Sequence, residues 1–461
     1  MRAAGIFAPL MSALLQAANG RRVLLLNPPV ADTAEAEEQD MVTSVEPFGL
    51  LRLGTYFRGR KCEVELLDCL RDPLLGEGVR RHVRKRAACG SDDEAPVEKE
   101  VFHFGLTAAE LETRLSQLMP PDLIAVSSIF TWHFETTREA IQVCKRVYPD
   151  AEVVLGGNFA TLCPEEALRS GADEVVVGDA AGAAFLPTAI DLVSAHPETD
   201  FLRLIKGCPF QCSYCVTHLL NEGRMQTRPP AEVFDEMMAK ARANGTRTFV
   251  FYDDFVLYQQ SRFLDPFLDL VAREKPGVQI EFALGFAARM IDEAFAARLR
   301  AAGVERVVLA LETTSESRER DMNRPQHLEE FVRAVQILQA HGYRGPDLRA
   351  FYLIGLPDQT TEEILRALIW LYRLGVTPSL TTYTLTPRSG DMTRYADRAV
   401  GFSLDELAPC LWRFAHAGMR VRDLDAIYQY FHERFFPLER ILGSNTDDRV
   451  VRWMQKLASE S

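Results

Sequence analysis

From residue 201 onward six apolar segments, "FLRLIK", "RTFVFYDD", "QIEFALGF", "RVVLALET", "RAFYLIGLP" and "LTTYTLTP", alternate with amphipathic stretches such as "PAEVFDEMMAKARANG" and "EEFVRAVQILQAHG". Strands that are apolar along their whole length are buried on both faces, and a parallel sheet covered by crossover helices provides that environment. Gly342 supplies the cap that ends the second of these helices. Right-handed crossovers wind such units into a closed or partial barrel. Residues 196–390 are therefore expected to form a partial (β/α)6 barrel of TIM type. From 391 to 461 the pattern is helical, with "DLDAIYQYFHERFF" placing apolar positions at helical spacing, and a cap or packing element is expected there.

The first half repeats the alternation in a different rhythm. "RRVLLLNPPV", "CEVELLDC", "DLIAVSSIF", "EVVLGGN" and "EVVVG" read as strands, with helices over "GLLRLGTYFRG", "ETTREAIQVCKRVYP" and "PEEALRSG". Residues 21–195 are expected to be an α/β, doubly wound (Rossmann-like) parallel sheet. "ADTAEAEEQD" reads as an acidic loop, and "HVRKRAACGSDDEAPVEKE" (82–100), basic then acidic without aromatic partners, as a solvated insertion. Residues 1–20 carry one Arg and an apolar middle, loosely like a secretory signal. A short amphipathic or frayed helix, an N-terminal extension, is the better account.

Lys plus Arg number 52 against 65 Asp plus Glu, a net charge of -13, which repels phosphate backbones, so nucleic acid is a disfavoured partner. No apolar run reaches the roughly 18 to 20 residues of a membrane span, and no transmembrane segment is expected. The nine cysteines show no framework beyond a central trio, which points to a reducing, cytoplasmic compartment.

That trio, in "IKGCPFQCSYCVTH", places Cys208, Cys212 and Cys215 in C-x3-C-x2-C spacing after the first strand of the second series. Barrels of this kind keep their chemistry at the C-terminal ends of strands. Thiolates are soft ligands for zinc or iron-sulfur clusters. Structural zinc takes four ligands, and His218 is the candidate fourth. A four-iron cluster on three thiolates instead leaves one iron open to a further ligand.

"GCPFQCSYC" at the first loop of a six-unit βα series resembles the signature of the radical S-adenosylmethionine (radical SAM) enzymes, over roughly 200–390. The resemblance implies that Cys208, Cys212 and Cys215 hold a 4Fe-4S cluster whose unique iron chelates SAM. One-electron reduction then releases a 5'-deoxyadenosyl radical. It also implies that Pro209, Phe210 and Tyr214 pack around cluster and adenine. "FYDD" stands where the family commonly has a Gly-Gly-Glu segment, making Tyr252, Asp253 and Asp254 candidates for the SAM ammonium. Glu312 and Thr313 end the fourth strand, where relatives contact ribose. Arg324 is placed as a carboxylate partner, and Ile354 and Gly355 in "YLIGLPDQT" as adenine contacts.

Residues 20–190 are similar to the cobalamin-binding domain fused ahead of many radical SAM cores, most strongly from Pro121 to Gly178. Ser127, Ser128, Gly156 and Gly157 lie in strand-end loops where backbone and hydroxyls can approach a large polar ligand. The resemblance makes "LGGN" a wall for cobalamin's nucleotide tail. No D-x-H-x-x-G segment marks a lower cobalt ligand, and "GDAAGAAF" stands where relatives carry Gly-Glu-Gly-Glu. Trp132 and His133 follow "SSIF" and are expected to face the crevice.

The function implied is SAM cleavage coupled through cobalamin to methylation of an unactivated carbon or phosphorus of a small-molecule or lipid-like substrate. An external electron donor such as flavodoxin or ferredoxin is implied with it. Two alternatives stand beside it: radical rearrangement, cyclisation or carbon-carbon coupling without cobalamin, and a non-catalytic metal- or cobalamin-binding regulator. Tyr383 and Arg388 in "YTLTPRSG" would line the barrel mouth, without naming a substrate.

Overall fold

The computed structural model describes residues 13–33, 47–75, 81–89, 97–193, 198–324, 327–411, 419–432, 438–444 and 448–460. The first half contains β1 (Arg22–Asn27), β2 (Val30–Thr33), β3 (Glu63–Asp68), β4 (Arg81–Cys89), β5 (Val97–Phe104), β6 (Leu123–Ser127), β7 (Glu152–Gly156) and β8 (Glu174–Val175). Five of these form a parallel sheet in the order β3-β1-β6-β7-β8. The Val/Leu/Ile runs of β1, β6 and β7 put Val23, Leu25, Ile124, Val153 and Leu155 out of contact with solvent. Helices Phe48–Arg58 and Phe134–Val147 are among those that cover the sheet. The chain adds β3 on one side of β1 and then β6 on the other, and open α/β sheets take ligands at the carboxyl ends of strands beside such a switch point.

The stretch expected as a solvated insertion is instead part of a sheet where it is described, at 82–89 and 97–100; 90–96 lie outside the described residues. β4 and β5 pair antiparallel, and β5 also pairs with β2. Its charges have partners: Arg84 meets Glu139 at 2.6 Å, Lys85 meets Asp405 at 3.4 Å, and Lys99 meets Asp425 at 2.5 Å. "VEKEVFHF" is charged at Glu98, Lys99 and Glu100 but closes on a buried end, with Val101 and His103 on one face of the strand and Phe104 on the other. The 1–12 part of the N-terminal extension and most of the acidic loop lie outside the described residues. Ala13–Ala17 is helical, and Glu174 accepts hydrogen bonds from its first two amides.

The second half continues with β9 (Thr199–Leu202), β10 (Ile205–Lys206), β11 (Gln226–Thr227), β12 (Thr248–Phe251), β13 (Gln279–Phe282), β14 (Phe286–Ala287), β15 (Val307–Glu312), β16 (Gly345–Ile354) and β17 (Val376–Thr382). β9, β12 and β13 form one parallel sheet, and β14 to β17 another. The expected third strand is thus broken in two. Gly285 sits at the break with φ +75, and a Cβ there would come within 3.0 Å of the Val308 carbonyl and 3.1 Å of the Phe351 ring. The expected first strand is also split, because "FLRLIK" turns at Arg203 and only then pairs as β10 with β11. The last strand begins four residues earlier than the periodicity of "LTTYTLTP" implies. The C-terminal helices Val421–His432 and Arg449–Glu460 bury Leu424, Tyr428, Val451 and Met454 in the same core as the barrel. Among the described residues no helix is long and apolar enough to cross a membrane.

Candidate functional site

Cys208, Cys212 and Cys215 lie on the segment between β10 and β11, partly exposed and outside the apolar clusters. Three other strand-end loops hold this segment. After β12, Asp254 accepts the Gly207 amide at 2.7 Å. After β15, the Met322 carbonyl accepts the Ser213 amide at 2.9 Å and Asn323 donates to the Gln211 carbonyl at 3.1 Å. After β17, the Asp391 amide donates to the Ser213 carbonyl at 2.8 Å. The thiols are thereby positioned by hydrogen bonds to the backbone of their own loop from the segments that follow the second, fourth and sixth barrel strands.

Burial pushes the Cys208 thiol up to about 12 and Cys212 to about 11; Cys215 adds to both shifts and Cys212 to that of Cys208. Such thiols give up their protons when a metal takes the sulfur. Among the described residues no group of three or more His, Cys, Asp and Glu side chains is gathered to hold a single metal ion. The fit of the trio to a cluster therefore rests on its donor chemistry, three soft sulfurs on one partly exposed loop. His218, the candidate fourth zinc ligand, sits on the short helix Thr217–Leu220 with its Nδ1 buried and unpartnered.

Tyr214, Glu312 and Arg324 converge beside Cys212. Tyr214 packs against the cluster formed by Met322, Leu353, Leu356, Tyr383, Leu385 and Leu407. Burial, and then the Glu312 charge, raise its pKa. Glu312 ends β15 at φ +65; burial raises its pKa and Arg324 opposes the shift. Arg324 donates to the carbonyls of Leu311 and, at 2.6 Å, Ala310. Thr313 is fully buried behind them. Phe210 meets Phe255 edge-on at 5.0 Å, and the Arg289 guanidinium lies 4.9 Å from the Phe210 ring centroid. Ile354 is buried at the end of β16, and Gly355 turns at φ +81 with its amide on Gln359 at 2.9 Å.

The two neighbouring aspartates of "FYDD" have different tasks. Asp253 is 3% exposed and its Oδ1 accepts the amides of Leu204 (2.9 Å) and Ile205, fixing the turn between β9 and β10. Its Oδ2 is buried without a partner, and burial pushes its pKa up from 3.8 to about 7. The folded state therefore binds this proton more tightly than the unfolded chain, and its stability falls as pH rises from about 4 to about 7. Asp253→Asn keeps the accepting oxygen and removes the charge. Its stability is expected to fall less steeply than wild type's across that window, the variant gaining on the order of 4 kcal/mol over wild type by pH 8. Equal slopes for the two proteins in urea titrations would refute this assignment.

Tyr252 leaves the barrel mouth altogether: it stacks on Phe48 of the first domain at 5.3 Å. Phe48 also meets Phe201 at 5.2 Å, so this trio of rings joins the two sheets. Next to it is a cavity of about 280 Å³. One wall is the switch-point edge of the first sheet, with Asn27, Ser127, Gly156, Gly157 and Asn158; the other is Arg203, Lys206, Asn221 and Asp254 of the barrel. Gly157 adopts φ +100, and a Cβ there would stand 2.3 Å from the Ser128 carbonyl. Ser128 is buried beneath this turn, with its hydroxyl accepting from Thr137 at 3.2 Å, and does not line the cavity.

Trp132 and His133 do not face the crevice as expected. Both are drawn to the buried Asp32 of β2, Trp132 Nε1 donating at 3.1 Å and His133 Nε2 lying 3.6 Å away. Tyr383 is held by Asp391 at 3.0 Å, and Arg388 donates across to the Thr161 carbonyl of the first domain at 3.2 Å. Sequence reasoning missed Arg52, Arg203 and Lys206 on the cavity wall. The available signal was Arg52 itself, a charge inside the otherwise apolar "GLLRLG".

The Radical SAM superfamily model matches residues 202–371, and the B12 binding domain model matches residues 97–185. The anaerobic magnesium-protoporphyrin IX monomethyl ester cyclase of Cereibacter sphaeroides is 23% identical over 314 residues, covering 55% of this chain and 50% of that one. An uncharacterized methyltransferase of Pyrococcus horikoshii is 20% identical over 443 residues, 85% of each chain. The chain thus spans about half the length of the cyclase relatives it matches. Among solved structures, the radical S-adenosylmethionine methyltransferase TsrM of Kitasatospora setae, with cobalamin and [4Fe-4S] cluster bound, aligns at TM-score 0.59 and 17% identity. That alignment covers 83% of this chain and 75% of that one. The cobalamin-dependent S-adenosylmethionine radical enzyme OxsB aligns at TM-score 0.57 and 12% identity, covering 95% and 71%.

Residues 202–371 form a radical SAM domain, and residues 97–185 ahead of it belong to a B12-binding domain. The cofactors of those two domains are a [4Fe-4S] cluster with SAM, and cobalamin.

Proposed function

We propose that Cys208, Cys212 and Cys215 hold the cluster, that Tyr214, Glu312 and Arg324 form the adjoining SAM site, and that the cavity between the domains takes cobalamin against Ser127, Gly156 and Gly157. The overall activity is methylation of an unactivated carbon or phosphorus on a small-molecule or lipid-like substrate. The observation that carries this reading is Asp254. One carboxylate holds the amide that precedes Cys208 and also walls the cavity at the sheet's switch point.

The bound cluster would supply the electron that splits SAM into methionine and a 5'-deoxyadenosyl radical, and cobalamin would supply the methyl group. The chain's residues then have positioning work. Asp254, Met322 and Asp391 fix the cysteine loop, Tyr214 and the buried groups behind it exclude water, and Arg324 favours the charged form of Glu312 against the burial that raises its pKa. The mouth of the barrel receives the substrate near Tyr383 and Phe210. A reduced flavodoxin or ferredoxin in a reducing cytoplasm is the electron source we assign.

Ring closure without methyl transfer is the second reading, favoured by the likeness to the cyclase of Cereibacter sphaeroides. The test is anaerobic reconstitution with iron, sulfide and hydroxocobalamin, followed by mass spectrometry of SAM products. Methyl transfer yields S-adenosylhomocysteine alongside 5'-deoxyadenosine; hydrogen abstraction alone yields only the latter. Stoichiometric cobalt with both products is expected. Protein without cobalt that forms only 5'-deoxyadenosine would transfer the assignment to ring closure, and uncleaved SAM would leave a non-catalytic binding protein.

A further inference from the structure

Arg52 is 5% exposed on the helix Phe48–Arg58, yet among the described residues no carboxylate lies within ion-pair distance of it and its Nε has no hydrogen-bond partner. The Phe48 ring lies 5.4 Å from its guanidinium carbon, and Glu236 and Asp253 act on it only as more distant charges. Burial, and then the like charge of Arg203, lower its pKa from 12.5 to about 9. An unpaired buried cation is costly, and groups of this kind are kept where something pairs with them.

Arg52 lines the cavity between the domains, and so does Arg203, whose Nε is likewise buried without a partner and whose one hydrogen bond, to the Tyr252 carbonyl, is 3.4 Å long. Pro47, Phe48, Gly49 and Leu50 line it too. They are the start of the same helix, which has no side-chain cap and no acidic residue in its first turn. Uncapped amides at a helix N-terminus present donors and a partial positive charge to an anion. Lys206 adds a third cation to the wall, already paired with Asp179 at 3.3 Å.

We propose that Arg52, Arg203 and the N-terminus of helix Phe48–Arg58 form an anion subsite in the interdomain cavity, built for a phosphate-type oxyanion. Two guanidinium forks and a row of amides suit the tetrahedral oxygens of a phosphate. The source is either the phosphodiester in the tail of cobalamin, which rests on the reading above, or a phosphate carried by another small molecule.

The probes are hydroxocobalamin, cobinamide (the same corrin without the phosphate and nucleotide tail) and inorganic phosphate, used on the full chain. Arg52→Met and Arg203→Gln are compared with wild type by equilibrium binding and thermal melting. For the cobalamin source, the preference for hydroxocobalamin over cobinamide falls about ten- to hundredfold in each variant. For the other source, that preference is unchanged while inorganic phosphate raises the melting temperature of wild type and of neither variant. In either case Arg52→Met melts higher than wild type without ligand, because the uncompensated cation is gone. If phosphate response and cobalamin preference are the same in all three proteins, or Arg52→Met melts lower without ligand, Arg52 is a packing residue and the subsite does not exist. A wild type that takes no cobalamin but responds to phosphate through Arg52 would sink the cobalamin reading and leave the subsite standing.

Discussion

Replacing any one of Cys208, Cys212 and Cys215 by alanine is expected to remove the iron bound by the reconstituted protein and to lower reductive SAM cleavage by at least about a thousandfold, roughly 4 kcal/mol or more in barrier. The effect is all-or-none for a chemical reason. Three thiolates leave one corner of the cluster open, whereas two leave it without a stable anchor, and no other cysteine of this chain is on the same loop. The fold should survive, because the three side chains are partly exposed and belong to no apolar cluster. Unchanged circular dichroism and melting with lost iron is the expected combination. His218→Ala provides the contrast: iron content and cleavage should persist, because its imidazole is no part of a three-thiolate site. Metal lost in His218→Ala as completely as in Cys212→Ala would favour four-ligand zinc and end the cluster assignment.

The alternation of apolar strands with helices suffices to read both parallel sheets, and the cysteine spacing suffices to place the trio at a strand-end loop. What periodicity cannot convey is which loops touch. Asp253 and Asp254 are chemically identical neighbours, yet one is buried under the β9 to β10 turn and the other bridges the cysteine loop to the cavity. Their difference is set by the direction in which successive side chains leave the strand end, a property of the folded backbone. Trp132 and His133 escape a sequence reading for a similar reason, since Asp32 draws them away and belongs to a small antiparallel sheet hidden in a charged stretch. Net polarity makes that stretch look solvated, although the strand that closes it runs on into Val101, His103 and Phe104, which are buried on both of its faces. Arg52 stands out as a charge inside "GLLRLG", yet a charged residue on a helix is ordinarily a solvated one, so its burial is not read from the sequence.

Gly207→Ala is expected to disable the protein nearly as fully as loss of a cysteine, by displacing the loop that carries them. Gly207 adopts φ +104, and a Cβ there would stand 2.2 Å from the Arg224 carbonyl oxygen. The obstructing atom is backbone in the strand-return segment that pairs β10 with β11, so no rotamer change relieves it. The positive φ alone costs a non-glycine residue about 1–3 kcal/mol. Relief of the overlap must move either Arg224 or the Gly207 amide, and the latter breaks its 2.7 Å bond to Asp254. Both movements shift Cys208, the next residue. Gly223, one residue before Arg224, separates conformational strain from steric overlap: it has φ +66, and a Cβ there would meet nothing within 4 Å. Gly223→Ala should therefore lose only about 1 kcal/mol and keep its iron. Iron content below about a tenth of wild type in Gly207→Ala, beside near-normal content in Gly223→Ala, is the expected pattern. Equal iron retention in both would mean that the cysteine loop does not depend on the close approach of these two backbone segments.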